Sequence, residues 1–157
     1  MDIDEVGTIL YWCEGSKREL DCRVEFVNSD PKMVSIFLRF LRSRGVDESR
    51  LKIRMANHVQ DDENTCREFW KKVTGLVNRN FIATVVKAPS IARKPLPYGT
   101  VTIRYNSLEL LRQIKEDISR VIERYEENSA WCRISDPGDR LFSPPFFIFL
   151  RIGKPIS

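Results

Sequence analysis

The spacing of apolar and polar residues predicts four helices and four strands along the chain. Apolar stripes at helical spacing, or a capped apolar segment, predict helices at residues 4–14, 31–44, 62–74 and 107–125. Strands are predicted at residues 22–27, 50–59, 80–87 and 100–105, mostly by the alternation typical of half-buried strands. This order predicts an α+β domain in which helices cover one face of a mostly antiparallel sheet.

The first predicted helix is apolar on nearly every side, with Ile9, Leu10 and Trp12 on different faces. A helix of this kind is buried on more than one side. The chain has 157 residues, which is the size of one domain. We therefore expect this helix to pack against a partner as well as against its own core.

Composition restricts the class of protein further. The cysteines, none in CxxC spacing, are Cys13, Cys22, Cys66 and Cys132. This usage is typical of reduced core thiols in an intracellular protein. The longest apolar run is shorter than the roughly 20 residues of a membrane span, and the acidic start is unlike a signal peptide. We expect a cytoplasmic protein with no membrane partner, a main domain at residues 1–125, and an extension at residues 126–157 that packs on or exchanges with the core.

Charge is concentrated in blocks, although the net charge of the whole chain is only +4. Residues 1–30 carry 3 basic and 8 acidic side chains, residues 31–60 carry 7 and 2, and residues 77–105 carry 5 and none. Two positive blocks beside one acidic segment favour a polyanionic partner, and nucleic acid is the first candidate. The alternative is an ordinary solvated surface with an uneven distribution of charge.

Basic and hydroxyl-bearing side chains fall on the strand positions opposite the apolar ones. They are Arg23, Arg50, Lys52, Arg54, Thr102 and Arg104. With helices on the apolar face, these residues would form an open basic surface suited to the major groove of double-stranded DNA. Arg93 and Lys94, in the proline-rich loop after the third strand, add cations for phosphate contacts. A polar face is, alternatively, what any solvent-facing sheet presents.

Glu14 lies at the end of the first predicted helix, directly before Gly15. A carboxylate there faces the negative end of the helix dipole, which typically costs about 0.3–1 kcal/mol. Lys17 or Arg18 compensates this charge if the role of Glu14 is structural, and a divalent cation does so if its role is functional. Two such carboxylates would meet if the helix packed against its own copy.

The sequence GTILYWCEGS at residues 7–16 resembles the motif of the LAGLIDADG homing endonucleases, with Glu14 and Gly15 at its acidic end. The segment RVEFVNSDPKMVSIFLRFL resembles the strand and helix that follow the motif in small members of the family. The segment GTVTIRYNSLELLRQI resembles the family's last strand and final helix. The resemblance covers roughly residues 4–125.

The resemblance implies a LAGLIDADG-like fold and a homodimer whose motif helices pack together while the sheets lie on the DNA. The dimer interface would then include Gly7, Leu10, Tyr11 and Gly15. Glu14 would hold magnesium at the scissile phosphates. Asn28 is a candidate for orienting a water, and Lys87 and Lys94 are candidates for a basic residue near the phosphate.

One departure from the family pattern keeps two functions open. Ile9 stands where the family's first glycine is usual, and some relatives bind DNA without cutting it. The sequence therefore predicts a homodimeric, magnesium-dependent, site-specific DNA endonuclease or, alternatively, a DNA-binding regulator on the same fold. A third alternative is an interaction protein whose basic sheet holds RNA or an acidic protein.

Overall fold

The computed structural model describes residues 2–16, 22–87 and 96–127. The chain divides into two compact units, Met1–Val121 and Ile122–Ser157, and the second is described only for residues 122–127. The expected extension at residues 126–157 therefore lies almost entirely outside the described residues. Arg93, Lys94 and Cys132 also lie outside them.

The described residues form the helices and strands of an α+β fold, as the sequence predicts. The helices are α1 (Ile3–Glu14), α2 (Pro31–Ser43), α3 (Glu63–Thr74) and α4 (Leu108–Glu127). The strands are β1 (Val24–Asn28), β2 (Lys52–His58), β3 (Val85–Lys87) and β4 (Thr100–Tyr105). Short 3₁₀ turns lie at Glu48–Arg50 and Asn78–Asn80. Within this part of the chain, no helix has both the length and the apolar character that a membrane span needs.

Capping residues explain where the helices begin and end. The Asp30 carboxylate accepts a hydrogen bond of 2.7 Å from the Lys32 amide, and Pro31 occupies the first helical position of α2. The carboxylate of Asp62 accepts an equivalent bond of 2.7 Å from the Thr65 amide at the start of α3. Helix α3 ends at Gly75, whose φ of 70° is the left-handed conformation that favours glycine after a helix.

The sheet is mixed and has the strand order β1-β4-β2-β3. β4 pairs antiparallel with both β1 and β2, whereas β3 pairs parallel with β2. The third strand is shorter than the predicted range 80–87, because the chain enters it through a 3₁₀ turn. The side-chain amide of Asn80 fixes that turn by donating hydrogen bonds to the carbonyl oxygens of Glu48 and Leu51, at 2.7 and 2.9 Å.

One face of the sheet forms the floor of the hydrophobic core, and the helices pack on it. The core-facing strand residues, all at most 1% exposed, are Val24, Phe26, Ile53, Met55, Val101 and Ile103. Phe37 of α2, Trp70 of α3 and Ile114 of α4 belong to the same buried cluster. The opposite face, here called the open face, therefore carries the remaining strand side chains.

The cysteines only partly match the expectation of core thiols. Cys66 on α3 is buried, and this burial, with the nearby Asp61 and Asp62 carboxylates, raises the pKa of its thiol. Cys13 and Cys22 are exposed, so the expectation is wrong for these two residues. Cys13 is exposed because it lies on the side of α1 that faces away from the core.

Candidate nucleic-acid interface

The open face presents two rows of side chains that cross three neighbouring strands. Residues paired across antiparallel strands point to the same side of a sheet, so the strand register defines the rows. The first row is Glu25 of β1, Arg104 of β4 and Lys52 of β2. The second row is Val27 of β1, Thr102 of β4 and Arg54 of β2. Alternation in the sequence therefore placed Lys52, Arg54, Thr102 and Arg104 on the correct face.

Ion pairs inside the chain hold the first row. Glu25 lies between two arginines, with its Oε2 atom 3.0 Å from Arg23 Nε and 3.0 Å from Arg104 Nε. Its side chain is only 16% exposed, which strengthens such pairs relative to fully solvated ones. Lys52 Nζ donates a longer hydrogen bond of 3.4 Å to the carbonyl oxygen of Arg79. The pairing of Glu25 with these arginines was not predicted from the sequence. Its position two residues after Arg23 is a signal for the first pair, because both residues then lie on one face of a strand.

The second row is not held in this way. Within the described part of the chain, neither the Arg54 guanidinium nor the Thr102 hydroxyl makes a hydrogen bond or an ion pair. Val27, an aliphatic residue on a cationic face, is 41% exposed. This row therefore offers free donors and apolar surface to an incoming molecule.

Arg50, like Arg23, lies just before a strand begins rather than within it. It lies in the 3₁₀ turn Glu48–Arg50, before β2 begins, so the strand alternation does not extend to it. Its guanidinium lies 5.1 Å from the centre of the Tyr105 ring and donates a 2.8 Å hydrogen bond to the Asn106 carbonyl oxygen. Arg50 is therefore an exposed cation at the end of the sheet, and the prediction that it lies within the second strand is wrong.

Glu14 is the exposed last residue of α1, and the last turn of that helix contains no basic residue. No hydrogen bond or ion pair of its carboxylate occurs among residues 2–16, 22–87 and 96–127, and Lys17 and Arg18 lie outside these ranges. Gly15 bridges to Phe26, and the Ser16 amide donates a 2.8 Å hydrogen bond to the Glu25 carbonyl oxygen. The chain leaving α1 therefore runs beside β1, and this pairing brings Glu14 to the β1 edge of the sheet.

The residues predicted for a dimer interface lie mostly on the inner side of α1. A Cβ atom on Gly7 would overlap the Phe40 ring of α2, so glycine permits the close packing of these two helices. Tyr11 is buried in the core, and a Cβ atom on Gly15 would stand 2.5 Å from the Tyr11 carbonyl oxygen. Gly7 and Tyr11 therefore face this chain's own core. Leu10 is partly buried against that core.

The outer side of α1 is the side that a second copy can reach. Trp12 is 43% exposed, and Cys13 and Glu14 beside it are exposed as well. Trp12 and Glu14 are two positions apart, so they lie about 160° apart around the helix with Cys13 between them, and the exposed surface at this end of α1 spans all three residues. This side of α1 replaces Gly7 and Tyr11 as the candidate contact surface.

Of the other predicted catalytic residues, Asn28 has a structural role and Lys87 lies far from Glu14. Asn28 caps the turn into α2, because its Oδ1 accepts a 2.8 Å hydrogen bond from the Asp30 amide and its Nδ2 lies 3.6 Å from Met33 Sδ. Lys87 belongs to β3, at the opposite edge of the sheet. Three strand spacings of about 4.8 Å separate that edge from β1, so the Lys87 backbone is at least about 14 Å from β1. Lys94 lies outside the described residues.

The donor set at Glu14 limits what metal could be held there. Among the described residues, no group of three or more His, Cys, Asp and Glu side chains could bind a metal ion. Magnesium is usually held by one or two carboxylates together with water and substrate phosphates, rather than by a complete protein cage. One Glu14 carboxylate from each of two chains fits that pattern when phosphates supply further oxygens.

No family model, no curated protein and no solved structure matches this chain. The surface chemistry of the open face and of α1 therefore carries the evidence on function.

Proposed function

We propose that this protein binds double-stranded DNA through the open face of its sheet. The observation that carries the proposal is the arrangement of Arg54, Lys52 and Arg104 across two adjacent strands, with the Arg54 guanidinium free. Cations that neutralise phosphates supply most of the sequence-independent affinity for DNA, and a free arginine can also bond to guanine. The resemblance of residues 7–16 to the LAGLIDADG motif supports the same conclusion.

The proposed DNA-binding form is a homodimer that forms through the outer side of α1. Trp12 supplies the large apolar surface that such a contact needs, since tryptophan is enriched at the centres of protein interfaces. A two-fold axis beside α1 would bring the two β1 edges together and extend the basic surface over two half-sites. The preferred target would accordingly be a pseudo-palindrome.

We propose that the dimer cuts DNA at the Glu14 pair, with magnesium as cofactor. Glu14 supports this role because its carboxylate is exposed, unpaired among the described residues, and beside β1. A bound magnesium ion polarises a phosphoryl oxygen and lowers the pKa of a bound water. The contribution of the chain is to place one carboxylate from each copy at the junction of the two open faces.

Binding without cleavage is the second candidate, and the position of Lys87 favours it. A base or cation near the scissile phosphate would assist cleavage, but Lys87 lies at the far edge of the sheet and Asn28 caps a turn. A DNA-binding regulator needs only the open face and the dimer. The two candidates therefore differ in the chemistry at Glu14 and agree on everything else.

A salt titration of DNA affinity tests the open face. Replacing Lys52 of the open face with alanine should weaken binding to duplex DNA and reduce the slope of log affinity against log salt by about one. The matched control is Lys72→Ala, because Lys72 is an exposed cation on α3, on the helix side of the sheet. Equal losses in the two variants, or an affinity that does not depend on salt, would contradict binding through this face.

Competition with double-stranded RNA tests whether the protein prefers DNA. The deep, narrow major groove of A-form RNA does not admit a sheet, so RNA should compete poorly.

Cleavage is tested by incubating a plasmid library with and without magnesium. Glu14→Gln should abolish magnesium-dependent cutting and leave DNA affinity unchanged or slightly higher, because it removes a negative charge near the phosphates. Glu68→Gln is the charge-matched control, since Glu68 is an exposed carboxylate on α3. Retarded DNA without cutting in any of the proteins would favour the regulator.

A further inference from the structure

The second row of the open face combines groups that the first row lacks. Val27, Thr102 and Arg54 are in register across three strands, and they present an isopropyl group, a hydroxyl with a methyl group, and a guanidinium. Within the described part of the chain, the side-chain hydroxyl of Thr102 and the guanidinium of Arg54 have no partner. Isolated exposed valines are common on protein surfaces, so the exposure of Val27 alone would not be informative. Its place in register with a free hydroxyl, in a row that ends at a free guanidinium, makes it so.

In the first row, by contrast, the charged side chains of Glu25 and Arg104 are paired with each other. The Nε atom of Arg104 lies 3.0 Å from Glu25 Oε2, and the same carboxylate forms an ion pair with Arg23. Glu25 therefore fixes the orientation of both arginines. Arginines held in this way have fewer free donors for a base. The second row keeps its donors and its methyl groups for the ligand.

Base pairs carry the complementary groups in the major groove. Thymine presents a C5-methyl group that apolar side chains contact, and guanine presents the O6 and N7 acceptors that arginine binds in a bidentate manner. Neighbouring strands are about 4.8 Å apart, so Val27 and Arg54 are separated by about 9.6 Å across β4. That distance is close to three steps of about 3.4 Å along a DNA strand.

We propose that the second row determines sequence preference: Val27 and the Thr102 methyl group contact a thymine methyl, and Arg54 binds a guanine within about three base pairs of it. This inference rests on the proposed function of the open face in DNA binding. Because Glu14 lies beside β1, the thymine lies nearer to the dimer axis than the guanine.

The experiment begins with selection of preferred duplexes from a random library, followed by single-atom changes in the bases. Replacing one thymine with deoxyuridine removes only the methyl group and should weaken wild-type binding about three- to fivefold at one position per half-site. The same replacement should have little effect on Val27→Ala. Val59→Ala is the control, since Val59 is an exposed valine that follows β2 and lies off the open face.

The guanine contact is tested while the charge is kept constant. Arg54→Lys should lose about fivefold to 100-fold of the preference for guanine over 7-deazaguanine at one position, and it should keep the salt dependence of the wild type. Guanine and thymine positions should lie within about three base pairs of each other in the selected sequence.

The outcomes separate this inference from the proposed function. DNA binding in which no thymine methyl matters to the wild type, or in which Val27→Ala keeps full sensitivity, would overturn the inference and leave DNA binding intact. Absence of salt-dependent duplex binding at any sequence would overturn the proposed function itself. The deoxyuridine measurement changes only the DNA and uses the wild-type protein, so misfolding of a variant cannot affect its result.

Discussion

Helix α1 and the open face of the sheet are both candidate contact surfaces. In each of them, some residues make contacts within the chain and others are left exposed. On α1, Gly7 and Tyr11 are taken up by packing inside the chain, whereas Trp12, the next residue, is exposed. On the open face, Glu25 and Arg104 are taken up by ion pairs, whereas Val27, two residues along β1, is exposed. In both regions a residue that serves the fold lies directly beside one that remains for a partner. Substitutions one step apart should therefore have different effects.

The largest expected effect on folding stability is on the inner side of α1, in the variant Gly7→Ala. The new methyl group would overlap the Phe40 ring, and such overpacking typically costs about 1–3 kcal/mol, sometimes more. Alanine gains up to about 1 kcal/mol over glycine in a helix, which offsets part of this loss. Urea unfolding should show a net decrease in stability. Cys13→Ala, on the exposed side of the same helix, should change the free energy of unfolding by less than about 0.5 kcal/mol. Equal stabilities would contradict the tight packing of α1 on α2.

The contrast between these regions also explains what the sequence could predict. A strand has a period of two, so alternation alone assigned Arg54 and Thr102 to the open face. A helix that is apolar on nearly every side has no such signal, and the inner positions of Gly7 and Tyr11 depend on where α2 brings Phe40. Pairing across strands is equally invisible to periodicity. The ion pairs of Glu25 needed the register of β1 with β4, which connects residues 79 positions apart.

The second prediction concerns the outer side of α1, in the variant Trp12→Ala. Truncating an aromatic residue at the centre of an interface commonly costs about 2 kcal/mol or more of binding energy, so self-association should weaken by about thirtyfold or more. Sedimentation equilibrium over a range of concentrations measures this change. The stability of the isolated chain should hardly change, in contrast to Gly7→Ala. Val59→Ala removes exposed apolar surface elsewhere and should leave self-association unaltered. A dimer of undiminished affinity in Trp12→Ala would place the contact on another surface.

The third prediction addresses the first row of the open face, in the variant Glu25→Gln. Removing the carboxylate between Arg23 and Arg104 releases two guanidinium groups from their ion pairs and removes a negative charge, so the net charge of the face rises by one. Binding to non-specific duplex DNA should tighten a few-fold at low salt, and the salt dependence should become steeper by up to about one unit of slope. Fluorescence anisotropy with a labelled duplex at several salt concentrations measures both. If Glu68→Gln, which removes a carboxylate from α3, produced the same change, total charge rather than the open face would be responsible.

The smallest expected effect lies outside both regions, at the cap of α3. Hydrogen bonds from the Thr65 hydroxyl and amide lower the pKa of Asp62 below its usual 3.8. Because the folded chain binds this proton more weakly than the unfolded chain, the stabilisation is complete above pH 3.8 and is lost as the pH falls through the folded value. Asparagine caps a helix about as well as aspartate but does not titrate. Asp62→Asn should therefore match the wild type at pH 7 and lose less stability between pH 5 and about pH 3 in urea unfolding. Self-association and DNA affinity at pH 7 should not change, since the cap belongs to neither contact surface. A changed affinity would mean that the stability of α3 influences the open face, and the separation between residues that serve the fold and residues left for a partner would not hold there.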